Sequence, residues 1–292
     1  MRSDELRAKD LYNRQKEIYG QGSMAQINLE IPVFVETLRQ YPLFEGRVVD
    51  MGVGTGQLSR ALLEAFPDAD VQLSGFDISE KNVAEFAIIK EADPRIDRAV
   101  TASFYEVPFE AGTFNLVISN HVLHYAEDIG ASLKEIRRLM RAGSYFLLSS
   151  VVCENGDPDN VILGVLVHEK IAAPINVWAF QRSREEILRA FNTSGFALMP
   201  FDHGGYFREF WPSYYYYRSE RPGATGATPH TFFAVAQAVE YPIEQTWDES
   251  FPEQEFKERA AELEILLRDW GYEVADAAQF VMPPFYGSIS NA

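Results

Sequence analysis

The sequence predicts an α/β protein built on a parallel sheet with helices on both faces. Three observations predict it. Five short runs rich in β-branched and aromatic residues lie between Arg47 and Val152, separated by helical or loop segments. The first run ends in Asp50 and passes through Gly52, Gly54 and Gly56 into an apolar-periodic stretch, which reads as strand, tight turn and helix start. The second ends in another acid, Asp77, in SGFDIS.

The elements follow in order. Asp4 to Tyr19 reads as a helix whose larger apolar groups are Leu6, Leu11, Tyr12, Ile18 and Tyr19. Ile31 to Gln40 reads as a second, with Pro32 tolerated in its first turn and Pro42 beyond its end. Strand Arg47–Met51 leads into helix Gln57–Phe66, where Leu58, Ala61, Leu62, Ala65 and Phe66 sit at helical spacing. Strand Val71–Phe76 leads into helix Glu80–Glu91, capped by Ser79. Strands Ala99–Ser103 and Phe114–Ser119 come next, then helix Ile129–Arg141 with Gly143 as its stop, then strand Tyr145–Val152. Val161–Lys170 is expected to be a short apolar helix. Ser183-x-x-Glu186 is a capping box that starts a helix running to about Asn192 and broken by Gly195. Phe196–Phe201 and Phe232–Val239 read as strands flanking a long Gly-, Pro- and Tyr-rich loop. A last helix is expected over about Glu253–Trp270.

Composition narrows the function. With 292 residues, 47% of them hydrophobic, the chain can bury a large core. No run is apolar enough to span a bilayer, and the charged N-terminus lacks a signal-peptide core, so a cytoplasmic location is expected. The single cysteine, Cys153, leaves no disulfide framework. The net charge of −17 disfavours nucleic acid as a partner. Its acids gather late, from Glu240 to Glu264, as a solvated face or as a surface that steers a cationic substrate. Monomer and homodimer are both compatible with the sequence.

Glycines let a backbone approach a ligand closely, and the helix N-terminus beyond them offers N–H groups. A dinucleotide fingerprint would be G-x-G-x-x-G; here the third glycine comes one place early, and Gln57 stands where it should be. There is no P-loop lysine either. Asp77 at the end of the second strand is placed to accept hydrogen bonds from ribose hydroxyls. Nicotinamide and S-adenosyl cofactors both contain that ribose.

The stretches VVDMGVGTGQLSRALL, GFDIS, ASFYEVPFEAGTFNLVISNHVLHYAED and LKEIRRLMRAGSYFLLSS, with NTSGFALMPF and FFAVAQAV as a terminal strand pair, resemble the class I S-adenosylmethionine-dependent methyltransferases of the small-molecule type. The resemblance covers Gly46 to Ala238 and identifies no subfamily. It implies a Rossmann-like, doubly wound, seven-stranded sheet whose last strand is antiparallel. It also implies S-adenosyl-L-methionine as cofactor. Gly52, Gly54 and Gly56 would line its methionine end, and Asp50 would help fix that loop or the ammonium group. Asp77 would hold the ribose, Ile78 would pack on adenine, Ser103 and Phe104 would lie at the adenine edge, and Asn120 would approach the amino group. Three departures stand out. Ser103 replaces a frequent Asp, Phe114-Asn115 replaces Phe-Asp, and Arg141-Ala142-Gly143-Ser144 replaces a Lys-Pro-Gly-Gly turn.

The chain is expected to divide into an N-terminal helical lid over residues 1–45, a core over 46–240 with cap insertions around 153–182 and 202–230, and an acidic extension over 241–292. A sulfonium methyl is already activated, so in-line positioning supplies much of the rate, and a base is needed only if the acceptor carries a proton. His124, in NHVLHYAED, is the leading candidate base and His121 the second. The Leu-His pair is similar to one that supplies the base in small-molecule O-methyltransferases, although the Asp-Trp that follows it there is Tyr125-Ala126 here. His168, His203 and His230 form no standard ligand spacing, so no metal site is expected. Tyr12, Tyr19, Tyr206 and Trp211 are candidate walls of an acceptor chamber, suited by stacking and cation–π contact to an aromatic or amine-bearing small molecule. Alternatives are a cyclase or isomerase on the same fold, a non-catalytic binding subunit, and a nicotinamide dehydrogenase.

Overall fold

Strand alternation builds the molecule in three layers. The computed structural model describes residues 2–19, 30–154, 161–166, 175–180, 182–201, 206–210, 214–219, 228–241 and 244–246, with 258, 261, 265, 274–276 and 279–280. Strands β1 (Gly46–Met51), β2 (Val71–Asp77), β3 (Ile96–Thr101), β4 (Phe114–Asn120) and β5 (Met140–Glu154) are parallel and lie in the order β3-β2-β1-β4-β5. Strands β6 (Val161–Leu166), β7 (Ile175–Phe180), β8 (Phe196–Leu198), β9 (Arg208–Phe210), β10 (Tyr214–Ser219) and β11 (Thr228–Ala238) follow. β11 lies between β5 and β8, antiparallel to both, and completes the seven-stranded path. β9 pairs with Thr231–Phe233 of β11, so β8 and β9 share one edge of that strand end to end.

Because strand side chains alternate between faces, neighbours on one strand join different layers. Val49 and Met51, Val117, Phe146 and Leu148, and Phe232 and Ala234 enter one buried cluster; Val48, Leu116 and Ile118, Leu147, and Phe233 and Val235 enter the other. Helices α5 (Ile129–Leu139) and α6 (Arg184–Thr193) cover the first through Leu133, Ile136, Ile187, Leu188 and Phe191. Ala8 of α1 (Ser3–Tyr19) joins the same layer. Helices α2 (Ile31–Gln40), α3 (Gln57–Ala65) and α4 (Glu80–Ala92) cover the second through Phe34, Leu38, Leu58, Leu62 and Phe86. Each such side chain contributes roughly 1.5–3 kcal/mol of burial. The caps agree with the sequence: Ser79 Oγ accepts from Asn82 N, and Ser183 and Glu186 complete the capping box.

Several expectations are corrected. Val161–Leu166 is a strand, not a helix; it pairs with β7 and β10 in a separate three-stranded antiparallel sheet. A continuous apolar run carries no period to tell strand from helix, and two strand partners decide it. The loop expected before the last strand contains β9 and β10 and the start of β11. The helix over 129–141 stops at Leu139, and Gly143 (φ +75°) lies within β5 rather than at a helix end. Most of Glu253–Trp270 lies outside the described residues. No helix among the described residues is long and apolar enough to cross a membrane.

Phe86 sets a packing limit on two turns. A Cβ at Gly75 would stand 2.6 Å from Phe86 Cε1, and one at Gly56 2.7 Å from Phe86 Cδ2. Gly75→Ala is expected to lower unfolding free energy by about 1–3 kcal/mol through overpacking. Gly56→Ala is expected to lower it further, since φ there is +82°. Urea denaturation of the two variants checks this; a loss below about 0.5 kcal/mol in both rejects it.

Candidate functional site

The turn after β1 is built from three left-handed glycines, Gly52 (φ +67°), Gly54 (+53°) and Gly56 (+82°). Their surroundings differ. A Cβ at Gly52 would lie 2.2 Å from Val122 Cγ2, and one at Gly56 would strike α4, whereas one at Gly54 meets nothing within 4 Å. Gly54 is therefore where the backbone faces open space. Its N–H donates to Asp77 Oδ2 (2.9 Å), while Asp77 Oδ1 accepts from Ser79 N (2.8 Å). One carboxylate thus ties the glycine turn to the end of β2. Beside it, Asp50 Oδ2 accepts from Ser59 Oγ at 2.6 Å. Both acids are buried. Burial pushes Asp50 up to about 7, against the Ser59 hydrogen bond and with help from the Asp77 charge. Burial also raises Asp77, opposed by its bonds from Ser79 and Gly54.

The ends of β2, β3 and β4 bring up the remaining predicted residues. Ile78 is half-buried against the first core layer, and Phe104 is buried in it. Ser103 Oγ accepts from Tyr105 N (3.0 Å), and Ser103 bridges to Glu106. Asn120 Oδ1 accepts a short bond from Ser149 Oγ. His121 follows with φ +58°, the one described non-glycine residue with a positive φ. Its N–H donates to Ser149 O (3.0 Å), and its Nε2 lies 2.9 Å from the buried carboxylate of Glu30. His124 sits in a single 3-10 turn, Leu123–Tyr125, its ring 6.0 Å from that of His121. Its Nδ1 is 3.2 Å from Ser150 Oγ. Burial, with His121 and Arg182 nearby, holds the imidazole well below its usual range, so it is neutral at physiological pH. A small void beside it is lined by His124, Ser150, Arg182, Phe180 and Ile187. Arg182 Nη2 donates to Ala126 O and Glu127 O at 2.6 and 2.7 Å.

α1 crosses these loops. Asp4 Oδ2 accepts from Tyr105 OH (2.6 Å) and Glu127 N (3.0 Å), so one carboxylate joins the loops after β3 and β4. Tyr12 OH donates to Tyr125 OH (2.9 Å), with the two rings edge to face. Ser79 Oγ donates to Asn13 Oδ1 (2.9 Å). Tyr12 therefore lies at the site, while the side chain of Tyr19 and the whole of Trp211 lie outside the described residues. Tyr206 is half-buried against the first core layer. Among the described residues no cluster of three or more His, Cys, Asp or Glu could hold a metal ion.

Sequence reasoning missed Glu30, Asp4, Ser59 and Arg182. Ser59 had a local signal, since it sits nine residues beyond Asp50 on the buried face of α3. The others carry none, because their partners lie on distant elements.

Residues 49–148 match the family model described as "Methyltransferase domain". Malonyl-acyl-carrier-protein O-methyltransferase from Legionella pneumophila subsp. pneumophila is 29% identical over 116 residues, which is 40% of this chain and 40% of that protein. The chain thus matches about two fifths of that relative's length. Among solved structures, magnesium protoporphyrin IX methyltransferase from Synechocystis PCC 6803 with bound SAM has a TM-score of 0.53 at 16% identity, covering 82% of this chain and 98% of that one. The cyclase SpnF has a TM-score of 0.50 at 15% identity, covering 72% and 80%. At these identities the structures show a shared fold.

The raised Asp50 has a thermodynamic signature. The folded state keeps a proton on it between its ordinary value of 3.8 and about 7, where the unfolded chain has lost it. Its contribution to stability therefore falls as pH rises through that window. Asp50→Asn is expected to remove that fall, flattening the profile by at most about 4 kcal/mol. Urea unfolding of both proteins from pH 4 to 8 checks this; parallel profiles reject it.

Proposed function

Taking as premise that the core belongs to the class I S-adenosylmethionine-dependent methyltransferases, we propose that the chain transfers a methyl group to an oxygen or nitrogen of a small molecule. The carrying observation is the junction of Gly54 and Asp77. Gly54 offers open space that any side chain would fill, and the buried Asp77 carboxylate stands beside it, held by hydrogen bonds from Gly54 and Ser79 and helped by Asn82 and Ile78. These features fit an adenosyl group with its ribose at Asp77 and its methionine end along Gly52–Gly56. Ile78 and Phe104 supply apolar surface for adenine, Ser103 a hydroxyl at its edge, and Asn120 an amide for the amino group. The two buried acids, Asp50 and Asp77, suit a cationic cofactor. When bound, S-adenosylmethionine supplies a methyl carbon that the acceptor heteroatom bonds as the carbon–sulfur bond breaks, with the electron pair staying on sulfur.

This chain's residues then position the acceptor, exclude water and take up a proton where the acceptor carries one. The lid helix α1 closes over the strand ends through Asp4, Tyr12 and Asn13. His121 and His124, after β4, are the proton-accepting candidates. Of the aromatic residues expected from the sequence to wall the acceptor chamber, Tyr12 and Tyr206 are among the described residues, and the acceptor we propose is an aromatic or amine-bearing small molecule. The O-methyltransferase relative favours oxygen as the nucleophile.

Asp77→Ala is expected to abolish calorimetrically measurable binding of S-adenosylhomocysteine while circular dichroism stays native. Asp77→Asn, which keeps the shape and one acceptor oxygen, is expected to weaken binding roughly 10- to 100-fold, the loss of one or two charge-assisted hydrogen bonds. Wild-type affinity in either variant overturns the site. Incubating the protein with a deuterated-methyl cofactor and a metabolite extract is expected to label a small molecule; a product of unchanged mass would indicate isomerisation instead.

A further inference from the structure

The peptide group that joins Ala126 to Glu127 is held at both ends. Its N–H donates to Asp4 Oδ2 of α1 at 3.0 Å, and its carbonyl, that of Ala126, accepts from Arg182 Nη2 at 2.6 Å. The same guanidinium nitrogen donates to Glu127 O at 2.7 Å. A peptide group is planar, with its N–H and C=O pointing in opposite directions. A tilt that breaks one of these bonds therefore moves the other. The two holders carry opposite charges, and each polarises the peptide in the sense that strengthens the bond at the far end. Both are buried, Asp4 at 3% exposure and Arg182 at 7%. A buried charge is costly once its hydrogen bonds are lost, so each holder keeps its place only while the peptide keeps its own.

The holders reach the peptide from different flanks of the site. α1 grips the loops assigned above to the cofactor. Asp4 Oδ2 also accepts from the hydroxyl of Tyr105, two residues beyond Ser103, and Asn13 Oδ1 accepts from Ser79 Oγ, two residues beyond Asp77. Arg182 follows β7, and β7 packs against the Leu123–Tyr125 turn. Arg182 also lines the void beside His124, together with Phe180 and Ser150. α1 meets the apolar core through Ala8 and Tyr12 and meets the loops through directional polar bonds, so its docking responds to small shifts of those loops.

We propose that the Ala126–Glu127 peptide is the link through which a bound cofactor sets the acceptor side of the chamber. This rests on the methyl-transfer reading above. Contacts of the cofactor at Asp77 and Ser103 steady the loops that α1 grips and so favour its docked state. Docked α1 holds the peptide through Asp4, and the peptide holds Arg182 with β7 behind it. The cofactor then binds first, and the acceptor meets a wall that the cofactor has helped to order. Such coupling is reciprocal, so loss of the Arg182 grip loosens α1 from the other flank.

Hydrogen–deuterium exchange of the full chain tests the link, with S-adenosylhomocysteine as the probe. In wild type the ligand is expected to slow exchange about fivefold or more in α1 and also in β7, the lower range of couplings between sites. In Asp4→Ala at saturating ligand, the slowing in β7 is expected to shrink below about twofold while that in the Gly52–Gly56 turn persists. In Arg182→Gln the slowing in α1 is expected to shrink in the same way. Wild-type protection that stops at α1 overturns the proposal, as does full protection of β7 in Asp4→Ala or of α1 in Arg182→Gln. Where circular dichroism shows a variant unfolded, the wild-type pattern and the other variant decide. Failure of the wild-type protein to bind S-adenosylhomocysteine would instead overturn the methyltransferase reading.

Discussion

The arrangement rests on one carboxylate. Asp77 ends β2 and accepts simultaneously from Gly54, in the turn after β1, and from Ser79, at the cap of α4. Those bonds fix the glycine turn against the next strand end before any ligand arrives. The cost is a buried acid beside a second one, Asp50, and the fold offsets part of it with Ser59. Burial holds the charge of both carboxylates at a disadvantage.

A second layer of control comes from the N-terminal residues. α1 contacts the loops after β2, β3 and β4 through Asn13, Asp4 and Tyr12. α2 contributes Glu30 to the strand-end histidine. Neither α1 nor α2 lies in the segment that matches the methyltransferase domain. α1 and α2 thus bring residues from outside the matched segment to the ends of the strands.

The core was legible in the sequence because its signals are local. Glycine spacing, the acid after β2, the Ser79 cap and the Ser183 box each involve residues a few positions apart, and the strands alternate with periodic helices. The misreadings share another cause. Val161–Leu166 is uniformly apolar, so only its pairing with β7 and β10 reveals a strand. Tyr214–Ser219 gains its strand character from the same sheet. Within the site, Asp50, Asp77 and the glycines were readable, but the distinction among the glycines was not: it depends on Val122, Phe86 and Ile89 closing over two of them. Glu30 and Asp4 were invisible because each meets its partner across roughly a hundred residues of chain.

Phe86 links positions that are distant in the chain into one inherited unit. Its ring occupies the room that a side chain at Gly56 or at Gly75 would take. The three residues therefore cannot drift independently. In related chains, a methyl group at the position of Gly75 should accompany a smaller residue where Phe86 stands, and a bulky ring there should keep both glycines bare. The ring acts as a historical constraint, tying the shape of the turn after the first strand to the filling of the fourth helix.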